Sequence, residues 1–165
     1  MIIVDTGFLS SLFKINRLEL LKTHFETEYI VIPNAIFEEL SKTDFFVELI
    51  HFIAVNEDYM DEKRWIQVKK TELEVDEDKL GSGEKEAISL AKQHNALLLI
   101  DDRAARSVAK SEGVMTATLP EFLLDCKDAH NLSKNDILLI IELLAERDFY
   151  KFKNDVFLRL KDCED

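Results

Sequence analysis

The sequence predicts an α/β fold of three layers, in which a central parallel sheet of four to five strands is flanked by helices. Short apolar runs alternate along the chain with longer segments whose apolar residues recur at helical spacing. Two of the apolar runs, residues 1–4 and 96–100, end directly at carboxylates, and their continuous apolar character is typical of strands buried on both faces. Further helices are expected at the C-terminal end.

The first half of the chain predicts two strands and three helices. The opening apolar run stops at an Asp-Thr-Gly turn, and the next apolar residues are spaced as on a helix. Pro33 closes the second strand and suits the start of a helix, because its ring fixes φ. The predicted elements are strands at 1–4 and 29–32, and helices at 8–25 with a break near Asn16, after Pro33, and over the strongly apolar residues 44–54.

The second half begins with the least regular segment and then returns to the α/β alternation. Residues 65–68 are either a strand or a short edge, residues 72–79 are a charged turn region, and residues 80–83 contain a Gly-Ser-Gly break. Ser133 is a favourable N-cap for the first of two C-terminal helices. The predicted elements are strands at 96–100 and 114–116, and helices at 84–94, 103–111, 119–126, after Ser133 and over 149–160.

The length of 165 residues suits a single domain, and a content of 47% hydrophobic residues is sufficient for a full core. We expect a main domain at 1–128 and a helical extension at 129–165 packed on it. No apolar run reaches 18 residues and the N-terminus reads as a core strand, so no membrane segment or signal peptide is expected. The two cysteines, Cys126 and Cys163, lack metal-site spacing, which predicts neither a disulfide nor zinc; a cytoplasmic protein is the expectation.

The formal net charge of −12 argues against nucleic-acid binding, because affinity for phosphate chains comes largely from Lys and Arg. Two features weaken this objection. Carboxylates in a metal site carry charge that the metal offsets, and much of the remaining acid lies in residues 56–79. An acidic surface also suits a basic protein partner.

Four separated acidic positions are the most informative feature of the sequence. Asp5 and the pair Asp101–Asp102 follow predicted buried strands, while Glu39 and Glu84 lie on predicted helices. Carboxylates at the carboxyl ends of parallel strands lie where α/β sheets bind ligands. Because several carboxylates cannot share a small space unpaired, a hard divalent metal is expected among them.

Each acid also has a purely structural explanation. Asp5 can cap the following helix, and Glu39 can be a solvated helix residue, although the apolar stripe from residue 36 to 40 places it nearer the buried side than Glu38. The helix dipole alone favours Glu84 in a first turn. One of Asp101 and Asp102 can cap the next helix, which leaves the other for metal or substrate.

Other chemistries are disfavoured by the sequence. The four histidines are scattered without ligand spacing, which argues against zinc catalysis, and the Gly-Ser-Gly segment lacks the lysine spacing of a nucleotide P-loop. Arg103 and Arg106 either pair with the neighbouring acids or contact phosphate.

The order of these motifs resembles the PIN domain. The matching segments are strand-Asp-Thr, Pro-x-x-Ile-x-x-Glu-Leu, Gly-x-Gly-Glu-x-Glu-Ala-Ile-x-Leu-Ala and Leu-Ile-Asp-Asp-Arg-x-Ala-Arg, which together cover about residues 1–125. The last motif is similar to that of a prokaryotic branch that includes VapC-type toxins of toxin–antitoxin pairs. The resemblance implies a parallel sheet with an acidic cluster at one end, and Mg²⁺- or Mn²⁺-dependent hydrolysis of phosphodiester bonds, usually in RNA.

The resemblance also implies roles for individual residues. Asp5, Glu39 and Glu84 match the first three acids of the family, and Asp102 is favoured as the fourth because a basic residue follows it. The implied catalytic residues are Asp5, Glu39, Glu84 and Asp102; the implied metal ligands are Asp5, Glu84, Asp101 and Asp102; Thr6 supports the first acid; and the nearest RNA-binding candidates are Arg103, Arg106 and Lys110.

Two hypotheses about function follow. The first is a metal-dependent endoribonuclease, with an antitoxin protein as a possible partner. The second is a catalytically inactive PIN-like module that binds RNA or a protein, which the acidic composition favours. The apolar segments 44–54 and 149–160 also offer surfaces for a homodimer.

Overall fold

The computed structural model describes residues 1–162, and these residues form a single parallel sheet with helices packed against it. Its strands are β1 (Ile2–Val4), β2 (Ile30–Pro33), β3 (Ile53–Ala54), β4 (Ile66–Lys69), β5 (Leu97–Leu99) and β6 (Met115–Ala117). They lie in the order β3-β4-β2-β1-β5-β6, and every neighbouring pair is parallel. The predicted α/β class is confirmed, and the sheet has six strands where four to five were expected.

The helices follow the strands in alternation. They are α1 (Thr6–Lys14), α2 (Glu19–Phe25), α3 (Asn34–Leu40), α4 (Phe46–Leu49), α5 (Ser82–His94), α6 (Arg103–Ser111), α7 (Leu119–Asp128), α8 (Lys134–Arg147) and α9 (Asn154–Lys161). Two short 3₁₀ turns occupy Ile50–Phe52 and Glu57–Tyr59. Within residues 1–162, no helix combines the length and the apolar character that crossing a membrane requires.

The central position of β1 determines where a site can form. β1 pairs with β2 on one side and with β5 on the other, so the strand order reverses at β1. Ile3 and Val4 have no exposed surface, and neither do Leu98 and Leu99 of β5. Ligands of open α/β sheets bind beyond the carboxyl ends of strands at such a reversal, and Asp5 occupies that position.

The segment 44–54 is not the continuous helix that its apolar residues predict. It contains the single turn α4, then a 3₁₀ turn, and its last two residues form β3 beside β4. In so short an apolar run, the sequence pattern does not distinguish a helix from a buried strand. Pairing with β4 makes residues 53 and 54 a strand. Of the two alternatives left open for residues 65–68, the strand is confirmed and the edge is wrong, because β4 lies inside the sheet between β3 and β2.

The last helix also begins later than predicted. α9 starts at Asn154, and Phe149 has φ of 53° and is 83% exposed, so it neither continues a helix nor packs in the core. Residues 150–153 then form a connection in which the Tyr150 hydroxyl donates a hydrogen bond to Asp101 before α9 begins.

The two C-terminal helices pack on the same body as the sheet. α8 contacts α1, and α9 contacts both α7 and α8. Asp148, which ends α8, accepts hydrogen bonds from Ser11 Oγ and Lys14 Nζ of α1, both at 2.6 Å. Cys126 in α7 is fully buried, and burial raises the pKa of its thiol to about 12, while Cys163 lies outside the described residues.

Candidate active site

A cleft of about 330 Å³ opens beyond the carboxyl end of β1. We call it the acidic cleft, because Asp5, Glu39 and Glu84 line it together with Thr6 and Gly83. The structure thus brings together three of the four acidic positions singled out in the sequence. No Lys or Arg from residues 1–162 lines the acidic cleft, so its negative charge is not compensated there by protein.

Asp5 caps α1 and is the acid with the most strongly altered ionisation in the cleft. Its Oδ1 accepts a hydrogen bond of 2.8 Å from the Phe8 amide. Burial, joined by the negative charges of Asp101 and Glu84, raises the pKa of Asp5 to about 7 against the lowering effect of the Phe8 amide. The capping role and a position in the cleft therefore coexist, and none of the described Lys and Arg residues lines the cleft beside Asp5.

Glu39 enters the cleft because Gly83 leaves space for it. Its Oε2 accepts a hydrogen bond from the Thr6 hydroxyl, and its Oε1 accepts one of 3.2 Å from the Gly83 amide. A β-carbon on Gly83 would lie 2.5 Å from Glu39 Oε1, which is closer than van der Waals contact permits. Glu38 points elsewhere and accepts a hydrogen bond from the Asn34 side chain.

Thr6 therefore supports a different acid from the one that the sequence implied. Its hydroxyl donates to Glu39, whereas the resemblance implied support of Asp5. The reason is that Asp5 already receives the Phe8 amide as a helix cap, while Thr6 is the first residue of α1 and faces α3.

Glu84 caps the helix on which it lies. Its Oε2 accepts a hydrogen bond of 2.9 Å from the Gly81 amide, at the start of α5. The residue is only partly buried and faces the same cleft as Asp5. One carboxylate oxygen thus serves the backbone and the other remains available in the cleft.

The Asp101–Asp102 pair serves two different helices. Asp102 is exposed and caps α6, where its Oδ1 accepts a hydrogen bond of 2.8 Å from the Ala105 amide. Asp101 accepts hydrogen bonds from the Leu119 amide of α7, at 2.7 Å, and from the Tyr150 hydroxyl, at 3.0 Å. Burial raises the pKa of Asp101 in spite of these two donors. Neither residue lines the acidic cleft, although the charge of Asp101 acts on Asp5.

The donor set of the acidic cleft fits a hard divalent cation. Its side chains offer carboxylate and hydroxyl oxygens, and its uncompensated charge would be offset by such an ion. No three of the His, Cys, Asp and Glu side chains in residues 1–162 are already arranged as a ligand group. Mg²⁺ keeps several waters and binds through one or two carboxylates, so it does not require such a cage. Asp5 and Glu84 are the residues that would hold it.

A second cleft, of about 340 Å³, is lined by Asp101. We call it the basic cleft, because Arg106, Lys151, Lys153 and Arg159 line it. Of the RNA-binding candidates from the sequence, Arg106 is there, whereas Arg103 and Lys110 are exposed on α6 and line neither cleft.

The sequence did not indicate that the basic cleft also contains Lys151, Lys153 and Arg159, because these residues lie far from the acids along the chain. They come to α6 only through the return of the C-terminal segment. The alternation Tyr-Lys-Phe-Lys at 150–153 was the one local signal available.

A family model and one solved structure are similar to this chain. The family model DUF3368, a PIN domain, matches residues 1–160. Among solved structures, the chain is similar to a PilT N-terminus domain protein, SSO1118, from the archaeon Sulfolobus solfataricus P2, with 21% identity, 93% of this chain and 99% of that chain covered, and a TM-score of 0.47. The search of curated proteins found no significant match to the present chain. The chain belongs to the PIN domain family, whose members are in general metal-dependent nucleases.

Proposed function

We propose that this protein is a metal-dependent endoribonuclease whose active site is the acidic cleft. The observation that supports this most is the uncompensated carboxylate group around Asp5. A carboxyl with a pKa raised to about 7 by burial and by two other acids favours a bound cation, which would restore its ionised form. The PIN domain family supplies the reaction class, and Mg²⁺ or Mn²⁺ is the ion that we propose.

The residues of the acidic cleft would have different chemical roles, according to their positions. Asp5 and Glu84 would hold the ion, which when bound polarises the phosphoryl oxygen and lowers the charge on the scissile group. Glu39, held by the Thr6 hydroxyl and the Gly83 amide, keeps a fixed orientation at the cleft wall. A carboxylate so placed can accept a proton from an attacking water. In-line attack would give a 5′-phosphate and a 3′-hydroxyl, the products implied by the family resemblance.

Cleavage of end-labelled single-stranded RNA in Mg²⁺, Mn²⁺ or EDTA tests this proposal. Asp5→Asn keeps a residue that caps helices well but removes the ionisable group. We expect native protein to cut only with divalent ion and Asp5→Asn to lose at least about 100-fold in rate, the lower range for a general acid–base or electrostatic group. The matched control is Asp44→Asn, an exposed acid that lines neither cleft. Cleavage retained by Asp5→Asn would exclude the acidic cleft as the active site.

The alternative, a PIN module that binds without cutting, is favoured by one specific observation. Glu39, Glu84, Asp101 and Asp102 all accept hydrogen bonds from the protein, and no three acids of residues 1–162 form a prearranged ligand group. Titration calorimetry with Mn²⁺ separates the two functions. Metal binding without cleavage of any RNA would support the module, whereas metal binding with cleavage supports the enzyme.

We also propose, from the motif order alone, that the protein acts as the toxin of a toxin–antitoxin pair. Induced expression of the native chain should then arrest growth of a bacterial host, and Asp5→Asn should not. Equal growth with both, at equal soluble expression of an active nuclease, would contradict the toxin role.

A further inference from the structure

The basic cleft concentrates cations that the protein neutralises only in part, because the charge of Arg106 acts on Asp101 and Glu121. Within residues 1–162, none of Arg106, Lys151, Lys153 and Arg159 lies in an ion pair, whereas six other Lys and Arg residues do. Two acids, Asp101 and Glu121, also line this cleft. Four cations against two acids leave a local positive charge on a chain whose net charge is −12.

Arg106 has an unsatisfied donor in this cleft. Its Nε is buried and has no hydrogen-bond partner among the described residues. A buried N–H without an acceptor is unfavourable, so its presence at a cleft suggests a ligand that supplies one. The guanidinium fork matches the oxygens of phosphate, to which it can donate two hydrogen bonds.

The acidic residue Asp101 connects the two clefts. It lines the basic cleft, where it accepts a hydrogen bond from the Tyr150 hydroxyl. It follows β5, whereas Asp5 of the acidic cleft follows β1, and these two strands are parallel neighbours with Val4 paired to Leu99. A polynucleotide that spans both clefts would therefore place one phosphate near Asp5 and other phosphates near the cations.

We propose that the basic cleft binds the phosphate backbone of a single-stranded RNA whose scissile phosphate lies in the acidic cleft. Arg106 donates to a phosphate oxygen, and Lys151 and Lys153 contact adjacent phosphates. The inference rests on the proposed nuclease function for its choice of ligand. It explains how a strongly acidic chain holds a polyanion, because the phosphates meet a local excess of cations in the basic cleft.

The test is a double substitution, Lys151→Gln with Lys153→Gln, made in the Asp5→Asn background so that cleavage does not interfere. Both lysines are exposed, so the fold is expected to persist, which thermal unfolding verifies. The matched control, Lys63→Gln with Lys134→Gln, removes the same charge from exposed positions that line neither cleft. Binding of a fluorescent single-stranded RNA is measured by anisotropy in EDTA across a range of KCl concentrations.

We expect the cleft variant to bind roughly 10- to 30-fold more weakly at 0.1 M salt and to lose about 1.4 from the salt slope, the value for two phosphate contacts to a single strand. Arg106→Lys, which keeps the charge but not the fork, should weaken binding further than the control does. An unchanged affinity and slope in the cleft variant, or no RNA binding by the Asp5→Asn parent, would overturn the proposal.

Two further measurements distinguish RNA binding in the basic cleft from binding of an acidic protein, and separate it from the question of nuclease activity. A poly-glutamate peptide that binds the cleft more tightly than RNA, with the same sensitivity to the lysines, would overturn it in favour of an acidic protein partner. Cleavage by otherwise native protein is assayed in parallel. Weakened RNA binding by the cleft variant without any cleavage by the native chain would refute the nuclease and leave the phosphate site standing.

Discussion

Gly83 is the residue that determines whether Glu39 can enter the acidic cleft. It lies in the first turn of α5, where any side chain would occupy the volume of the Glu39 carboxylate. Gly81, two residues earlier, offers a comparison in the same segment. A β-carbon on Gly81 would have its nearest neighbour, Glu84 Oε2, at 3.9 Å, an ordinary contact.

Gly83→Ala should therefore separate activity from stability. The glutamate end can swing away, so we expect the free energy of unfolding to change by less than about 1 kcal/mol, since Ala also improves helix propensity. Displacement of Glu39 and loss of its hydrogen bond with the Gly83 amide should lower the cleavage rate about tenfold or more. Gly81→Ala should leave the rate nearly unchanged. Equal rates in the two variants would show that the position of Glu39 does not matter.

Asp5 makes the stability of the protein depend on pH in a predictable direction. Its pKa is raised from 3.8 to about 7 on folding, so the folded state keeps a proton that the unfolded state has lost between these values. Stability contributed by this group is therefore present at low pH and is lost as pH rises towards 7.

Urea unfolding at pH 4.5 and pH 8 in EDTA tests this dependence. Relative to native protein, Asp5→Asn should gain stability on going from the lower to the higher pH, because the amide has no proton to lose. The exposed control Asp44→Asn should show no such difference. A constant offset between Asp5→Asn and native at both pH values would contradict the raised pKa.

At the scale of elements, the strands and helix caps could be predicted from local sequence, whereas the hydrogen-bond partners of the acids could not. β1 and β5 are short apolar runs with carboxylates at their ends, and Ser133 and Asp102 cap the helices that follow them. These signals are local because a cap bonds to an amide three residues away.

What could not be predicted depends on contacts between residues that are distant in sequence. The short strand β3 forms because β4 is available to pair with it, and Tyr150 reaches Asp101 across 49 positions of the chain. In the same way, nothing near Thr6 in sequence indicates that its hydroxyl serves Glu39. Identifying the acids thus required only sequence, whereas deciding which of them share a cleft required the tertiary structure.

The attachment of α8 to α1 gives a prediction at the level of elements. Asp148→Ala removes two hydrogen bonds, with the buried Ser11 and the partly exposed Lys14. We expect a loss of about 1–3 kcal/mol in the free energy of unfolding, the usual range for a charged hydrogen-bond partner. Asp125→Ala, at an exposed position of α7, should change it by less than about 0.5 kcal/mol. Equal losses from urea unfolding would mean that these contacts do not attach the helix.

At the scale of the whole molecule, a net charge of −12 opposes the compact state through self-repulsion. Any salt screens this repulsion, so a general rise in stability with ionic strength says nothing about a site. A specific divalent site adds stability beyond screening, because the ion binds the folded protein alone.

Thermal unfolding at matched ionic strength should reveal the stability that a specific divalent site adds beyond charge screening. With MnCl₂ at about 100 times its dissociation constant, binding contributes about 2.7 kcal/mol, or roughly 5–10 °C in Tm for a chain of this size. The excess over NaCl should vanish in Asp5→Asn and persist in Asp44→Asn. An excess that survives in Asp5→Asn would place the ion outside the acidic cleft.

The two hydrogen bonds of Asp101 offer a route by which binding in one cleft would affect binding in the other. One donor is the first amide of α7 and the other is Tyr150, in the connection between α8 and α9, so whatever fills the basic cleft changes the surroundings of a charge that acts on Asp5. Binding linkage is reciprocal: if a polyanion shifts the affinity for the divalent ion, the ion shifts the affinity for the polyanion by the same factor. If the nuclease proposed above binds RNA in the basic cleft and a divalent ion in the acidic cleft, a tighter hold on one in the presence of the other must therefore be matched in reverse by the same factor.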